Sequence, residues 1–242
     1  MSEQVLAPVA EPAPEPGTGP APVATLEATQ PTSQPEKSVN PTINESYRKA
    51  KSHRPWVRRF EREGREVYDN QAQILAAMAL EPGMRVADVG AGTGLFSVPF
   101  ARQVGSTGKV YAVDVMPYFL DHLRKKAKKK QLSQLEVVEA KERAVGLAPG
   151  SVDLVFFSDS YHHIEYPRTY LETVFAALKP GGSVVLIDYR RDAELNGDWI
   201  LKHVRADQAT VVAEFEAAGF ELVETRDKLL KENYYVRFRR PG

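Results

Sequence analysis

The stretch Val86-Ala-Asp-Val-Gly-Ala-Gly-Thr-Gly94 ends a β-branched run in three alternating glycines, and an acidic residue, Asp114, closes the next apolar run. Glycine has no Cβ, so Gly90, Gly92 and Gly94 let the chain bend sharply and bring bare backbone close to a ligand. A carboxylate at the end of the following strand can accept hydrogen bonds from both hydroxyls of an adenosine ribose. The pair therefore points to a nucleotide-type cofactor held at the edge of a parallel sheet. Taken singly, the glycines suit any tight turn and Asp88 any strand-end carboxylate; together they are harder to explain without a ligand. A nicotinamide site is the weaker reading, because its fingerprint needs a third glycine at the sixth position, which is Leu95 here.

A second chemical cluster, Ser158-Asp-Ser-Tyr-His-His163, follows the apolar run Leu154-Val-Phe-Phe157. Histidine titrates near neutral pH and suits general-base work, which makes His162 and His163, with Asp159, the candidate catalytic groups. Asp159, His162, His163 and His203 also offer zinc or iron ligand types. Nothing in their spacing fixes a geometry, however, and adjacent histidines in extended chain point apart, so no metal is expected.

The elements that must position these groups are legible from periodicity. Residues 85–89 read as a buried strand, 94–103 as a helix and 109–114 as the next strand, a β-α-β unit. A helix is predicted over 117–130, ending in the basic run Arg124-Lys-Lys-Ala-Lys-Lys-Lys130, where cations complement the helix dipole. Further strands are expected at 135–139, 152–158, 183–189, 221–224 and 235–238, with helices at 168–178 and 206–218. The Lys179-Pro-Gly-Gly182 sequence stops the first of those two helices. Upstream, Val57, Phe60, Val67, Ile74, Leu75 and Met78 predict one long or two short helices over 54–80, with Gly64 as a break.

Together the glycine turn, Asp114, Val152-Asp-Leu-Val-Phe-Phe-Ser-Asp159 and Leu178-Lys-Pro-Gly-Gly-Ser-Val-Val-Leu-Ile-Asp188 resemble class I S-adenosylmethionine (SAM) dependent methyltransferases, in family order and spacing over residues 55–238. The likeness is to the type 11 small-molecule branch that includes quinone-biosynthesis enzymes. It implies an α/β Rossmann-like sheet of seven strands in the order 3-2-1-4-5-7-6, the last antiparallel, with helices on both faces. It also implies that SAM is the cofactor, with Asp88, Gly90, Gly92 and Gly94 shaping the methionine end and Asp114 on the ribose. Val115 or Met116 would pack on adenine, and Ser158 at the fourth strand's exit would lie beside the transferable methyl. Where the family carries an acid after the third strand, this chain reads Glu139-Ala-Lys-Glu-Arg143, leaving Lys141 and Glu142 as substitutes. Arg62, Arg65 and Tyr68 are candidates for contacting the SAM carboxylate or substrate. Tyr161, His203, Arg205, Tyr234 and Tyr235 are candidates for the substrate wall.

Composition bounds the partners. Among the 242 residues, 32 basic side chains balance 32 acidic ones, giving no global attraction to nucleic acid or membranes. The basic helix lacks interleaved aromatics, so nucleic acid is not an expected partner; a macromolecular acceptor or a non-catalytic SAM-binding module is the alternative to a small-molecule enzyme. There is no cysteine, which excludes disulfides and thiolate chemistry and suits a reducing compartment. With no apolar span and no signal-like start, a cytoplasmic location is expected. Residues 1–41 hold nine of the seventeen prolines and few bulky apolar groups, predicting a disordered tail. Residues 42–80 form an expected helical segment and 81–242 the methyltransferase domain.

Overall fold

The computed structural model describes Met1 and residues 35–242. The tail expected over 1–41 falls mostly on residues 2–34, outside the described residues. Its final part behaves differently from that expectation. The Glu36 carboxylate accepts hydrogen bonds from the backbone N–H groups of Arg168 and Thr169, and Val39 N donates to Glu165 O at 2.9 Å. Hydrogen bonding thus joins residues 36–39 to the domain where composition alone predicts only solvent.

Four short helices open the chain: α1 (Glu45–Lys49), α2 (Arg54–Phe60), α3 (Glu66–Asp69) and α4 (Gln71–Met78). Gly64, at φ +80°, makes the expected break between the second and third. The remaining elements are β1 (Arg85–Val89), α5 (Ser97–Val104), β2 (Lys109–Asp114), α6 (Pro117–Lys129), β3 (Leu135–Glu139), β4 (Val152–Ser158), α7 (Pro167–Ala177), β5 (Leu178–Tyr189), α8 (Asp198–His203), α9 (Gln208–Ala217), β6 (Glu221–Thr225) and β7 (Asn233–Arg239). A single 3₁₀ turn, Tyr161–His163, follows β4. Two helices had no sequence signal: α1 and α8 are one to two turns long, too short for periodicity to register. The Lys179–Gly182 stretch ends α7 as expected, but β5 pairing extends back through it to Leu178.

The seven strands form one sheet in the order β3-β2-β1-β4-β5-β7-β6, with β7 antiparallel to both neighbours. This is the class I methyltransferase fold. Strands covered on both faces should be apolar at consecutive positions rather than at alternate ones, and the core divides accordingly. Ala87, Val89, Val113, Val155, Phe157, Leu186 and Phe238 pack with α7 and α9 on one side. Val86, Val110, Ala112, Leu154, Phe156, Val185 and Tyr235 pack with α4, α5 and α6 on the other. The strand order reverses between β1 and β4, and such a point leaves a crevice at the strands' carboxyl ends.

Candidate active site

A cavity of about 780 Å³ fills that crevice. One end is built by β1, β2 and the turn between β1 and α5. Gly90, Gly92 and Gly94 all hold positive φ. At Gly90 a Cβ would stand 2.5 Å from the Ser160 Cβ, so two strand-exit loops meet there through the missing side chain. Gly92 N donates to the Asp114 carboxylate at 2.8 Å, and Met116 N donates to its other oxygen at 2.9 Å. Asp114 is thereby fixed at the cavity wall with lone pairs to spare. Gly94 departs from the expectation for the turn: it does not reach the cavity, and a Cβ there would stand 2.9 Å from Leu123 Cδ2, so its smallness lets α6 pack closely.

Asp88 also faces the cavity, and its carboxylate accepts from Ser97 Oγ. Burial, reinforced by neighbouring Asp114, pushes Asp88 up to about 7, and burial pushes Asp114 up to about 6. Val115 and Met116 line the same end, as does Ser158. Glu142 lines it too, but it is mostly exposed and accepts from Arg48 at 2.9 Å; Lys141 is paired instead with Glu139.

The hydroxyls of Thr93 and Ser158 are buried at this wall with no partner among the described residues. Orphaned donors beside a fixed carboxylate and a bare glycine backbone call for a polar ligand. A cavity of 780 Å³ is within the range for a cofactor site. The residues present fit SAM: Asp114 for the ribose, Val115 and Met116 for the adenine, and Asp88 with Gly90 and Gly92 for the methionine end.

The opposite end of the cavity is assembled from distant segments. Asp159 sits in left-handed backbone, φ +47°, and turns the chain into the 3₁₀ turn. Its carboxylate accepts from Arg65 at 2.7 Å and from Asn233 Nδ2 at 2.6 Å. Each oxygen takes one of these bonds, so Asp159 ties Arg65, the residue before α3, and Asn233 to the turn after β4. His162 Nδ1 lies 2.7 Å from Asp188 Oδ1, and His162 N donates to Asp188 Oδ2 at 3.1 Å. A carboxylate only accepts, so Nδ1 carries the proton, and Nε2 is the nitrogen left for another partner.

His163 Nδ1 stands 3.1 Å from Asn44 Oδ1, while Asn44 Nδ2 donates to His163 O and Glu165. Those two acceptors fix the amide orientation, so His163 too is protonated on Nδ1. His203, from α8, stacks on Trp199 at 4.4 Å and meets both His162 and His163 with ring centroids 5.1 Å apart. Burial, with the neighbouring histidines, holds His163 well below its usual range and drives His203 to about 4.

The other candidates separate cleanly. Arg62 and Arg65 line the cavity, whereas Tyr68 does not. Tyr161 points into the core and donates to Glu214, and Tyr234 and Tyr235 are buried in the sheet. Arg205 pairs with Glu214 at 2.7 Å, away from the cavity. Sequence reasoning gave no role to Asp188 or Asn44, nor to the aromatic wall of Tyr47, Trp56, Phe60 and Trp199. A strand-end position, the same signal that marked Asp114, could have flagged Asp188.

Residues 87–186 match the family described as Methyltransferase domain. A demethylmenaquinone methyltransferase of Oceanobacillus iheyensis is 32% identical over 111 residues, covering 46% of this chain and 47% of that protein. The ubiquinone/menaquinone biosynthesis C-methyltransferase UbiE of Salmonella arizonae is 28% identical over 110 residues, 45% of this chain and 44% of that one. The match thus spans less than half the length of these curated relatives. The crystal structure of a SAM dependent methyltransferase from Aquifex aeolicus superposes with a TM-score of 0.68 at 25% identity, over 76% of this chain and 97% of that one. Residues 87–186 are thus similar to a methyltransferase domain, and they sit on the class I methyltransferase fold.

Proposed function

We propose that this protein transfers the methyl group of SAM to a small-molecule acceptor bound against His162, His163 and His203. The observation that carries this reading is the continuity of the cavity: Asp114 and His203 line the same 780 Å³. Donor and acceptor must share that volume, which favours a small acceptor over a macromolecular segment. The names of the relatives, two of them acting in quinone biosynthesis, support the same size class.

SAM, when bound, supplies a sulfonium-activated methyl group. The chain's own contribution is to hold and orient. Asp114 and the Gly90–Gly92 backbone fix the donor, while Tyr47 stands edge-on to His163 and Trp199 stacks on His203 at the acceptor end. Orienting two reactants in this way accounts for most of the acceleration expected of a methyl transfer. His162 presents Nε2 to the cavity, with Asp188 holding the ring and balancing the charge it gains. It is placed to remove a proton from an acceptor hydroxyl, a contribution of ~10²–10⁴ in rate. Among the described residues, no helix is long and apolar enough to cross a membrane.

The test is incubation of the protein with methyl-labelled SAM and a cell extract separated into small-molecule, protein and nucleic-acid pools. Label in the small-molecule pool is expected. Label confined to protein or nucleic acid would overturn the acceptor class while leaving the methyltransferase domain intact.

A further inference from the structure

Three of the five histidines in the chain converge at one point. One ring nitrogen from each of His162, His163 and His203 lies within 4.8 Å of the other two. The separation of adjacent histidines that extended chain would impose does not occur, because Asp159 turns the backbone and a 3₁₀ turn places His162 and His163 with rings 4.3 Å apart. His203 arrives from the last turn of α8, steadied by its stack on Trp199.

The hydrogen bonding around the cluster is what a metal centre requires. His162 gives its Nδ1 proton to Asp188, and His163 gives its own to Asn44, which leaves Nε2 of each as the ring nitrogen available to a metal. Carboxylate or carbonyl partners on the far nitrogen are the usual outer support of metal-bound histidine, fixing the tautomer and aiming the ring. All three residues line the cavity, which leaves one side of the cluster open. At metal–nitrogen bonds of ~2.0–2.1 Å, tetrahedral ligands stand ~3.4 Å apart, so the rings need to close by ~1 Å or less each.

From this geometry we infer that His162, His163 and His203 form a binding site for a divalent transition-metal ion of the zinc class, with an open coordination position facing the acceptor end of the pocket. Three neutral imidazoles with a vacant fourth position are the ligand set of catalytic rather than structural zinc. Arg59 lies over Trp199, 4.8 Å from the ring centroid, on the aromatic that His203 also stacks against. Its charge opposes a bare dication, and an anionic oxygen at the open position offsets that repulsion. The acceptor class that fits is an oxygen nucleophile that would bind the ion as its anion, its proton released to solvent at the cavity mouth; the methyl would then pass from the sulfonium sulfur to that oxygen, with S-adenosylhomocysteine as the leaving product. This last step rests on the acceptor reading above; the metal site itself does not. In the loaded protein His162 is a ligand, and it serves as a base only when the ion is absent.

The experiment uses the full chain, stripped with chelator and titrated with Co²⁺ while visible absorption is recorded, then back-titrated with Zn²⁺ by calorimetry. One equivalent is expected, with the ligand-field bands of a four- or five-coordinate nitrogen site that Zn²⁺ abolishes. His163→Ala and His203→Ala should each weaken Co²⁺ binding at least 10-fold with circular dichroism unchanged. His122→Ala, in the separate His53–His122 stack, should bind as wild type. Absent bands, octahedral solvent-like bands, or equal binding by His203→Ala would overturn the site. Should either variant fail to fold, the wild-type spectrum alone decides. Co²⁺ binding without methyl transfer would reject the acceptor reading and keep the site; methyl transfer without Co²⁺ binding would do the reverse.

Discussion

The two ends of the cavity are built in opposite ways. At the cofactor end, Asp88, Gly90, Gly92, Asp114 and Met116 fall within 29 consecutive residues of one β-α-β unit, and the sheet's own hydrogen bonding sets their positions. At the acceptor end, Asn44, Asp159, His162, Asp188 and His203 come from separate parts of the chain; side-chain hydrogen bonds spanning up to 121 residues hold the first four, and a stack on Trp199 holds His203. The first end is a property of the framework. The second is a property of the completed tertiary structure, so lesions at the two ends should have different signatures.

The largest effect is expected from Asp114→Ala. Two charge-assisted hydrogen bonds to the ribose are lost, and the Gly92 and Met116 amides lose their acceptor. SAM affinity should fall by roughly 10²-fold or more, read by calorimetry. An unchanged affinity would mean that the cofactor end is not where the framework places it. Asp188→Asn should do the converse. The uncharged amide supports the His162 ring poorly, and kcat should fall by ~10–10² while the SAM dissociation constant stays within about twofold. If SAM binding fell in step with turnover, the two ends would be one cooperative unit and the contrast between them would fail.

A smaller effect concerns stability. Asp88, at about 7, and Asp114, at about 6, lie above the ordinary 3.8, so the folded protein holds these protons more tightly than the unfolded chain. The stability they confer is therefore full in acid and is lost as pH rises from ~4 through ~7. Asp88→Asn keeps an acceptor for Ser97 and removes its share of that slope. Thermal unfolding should show the variant roughly 3–10 °C more stable than wild type at pH 8, with the gap closing toward pH 4. A constant gap across that range would show that desolvation of Asp88 is not the cause.

The same contrast explains what the sequence could reveal. Strands 85–89, 109–114, 135–139 and 152–158 were legible to the residue, and in 152–158 burial on both faces leaves a nearly continuous apolar run. The glycines and Asp114 were legible because their chemistry is local. Asn44 and Asp188 were not, since no pattern within one element announces a partner 26 or 119 residues away. Tyr161 shows the limit from the other side. It sits beside His162 in the chain, yet the turn sends its ring into the core, where it is fully buried. Asp159, the most suggestive acid in that cluster, is claimed by Arg65, just ahead of a helix whose position no local pattern encodes.

The Glu66 carboxylate in α3 accepts from the backbone N–H groups of Lys231, Glu232 and Asn233, at the start of the final strand. Those amides lie 165 to 167 residues after Glu66. During synthesis α3 therefore cannot take its final place until residues 231–233 have left the ribosome, and this wall of the pocket follows β1 to β5 in the order of assembly.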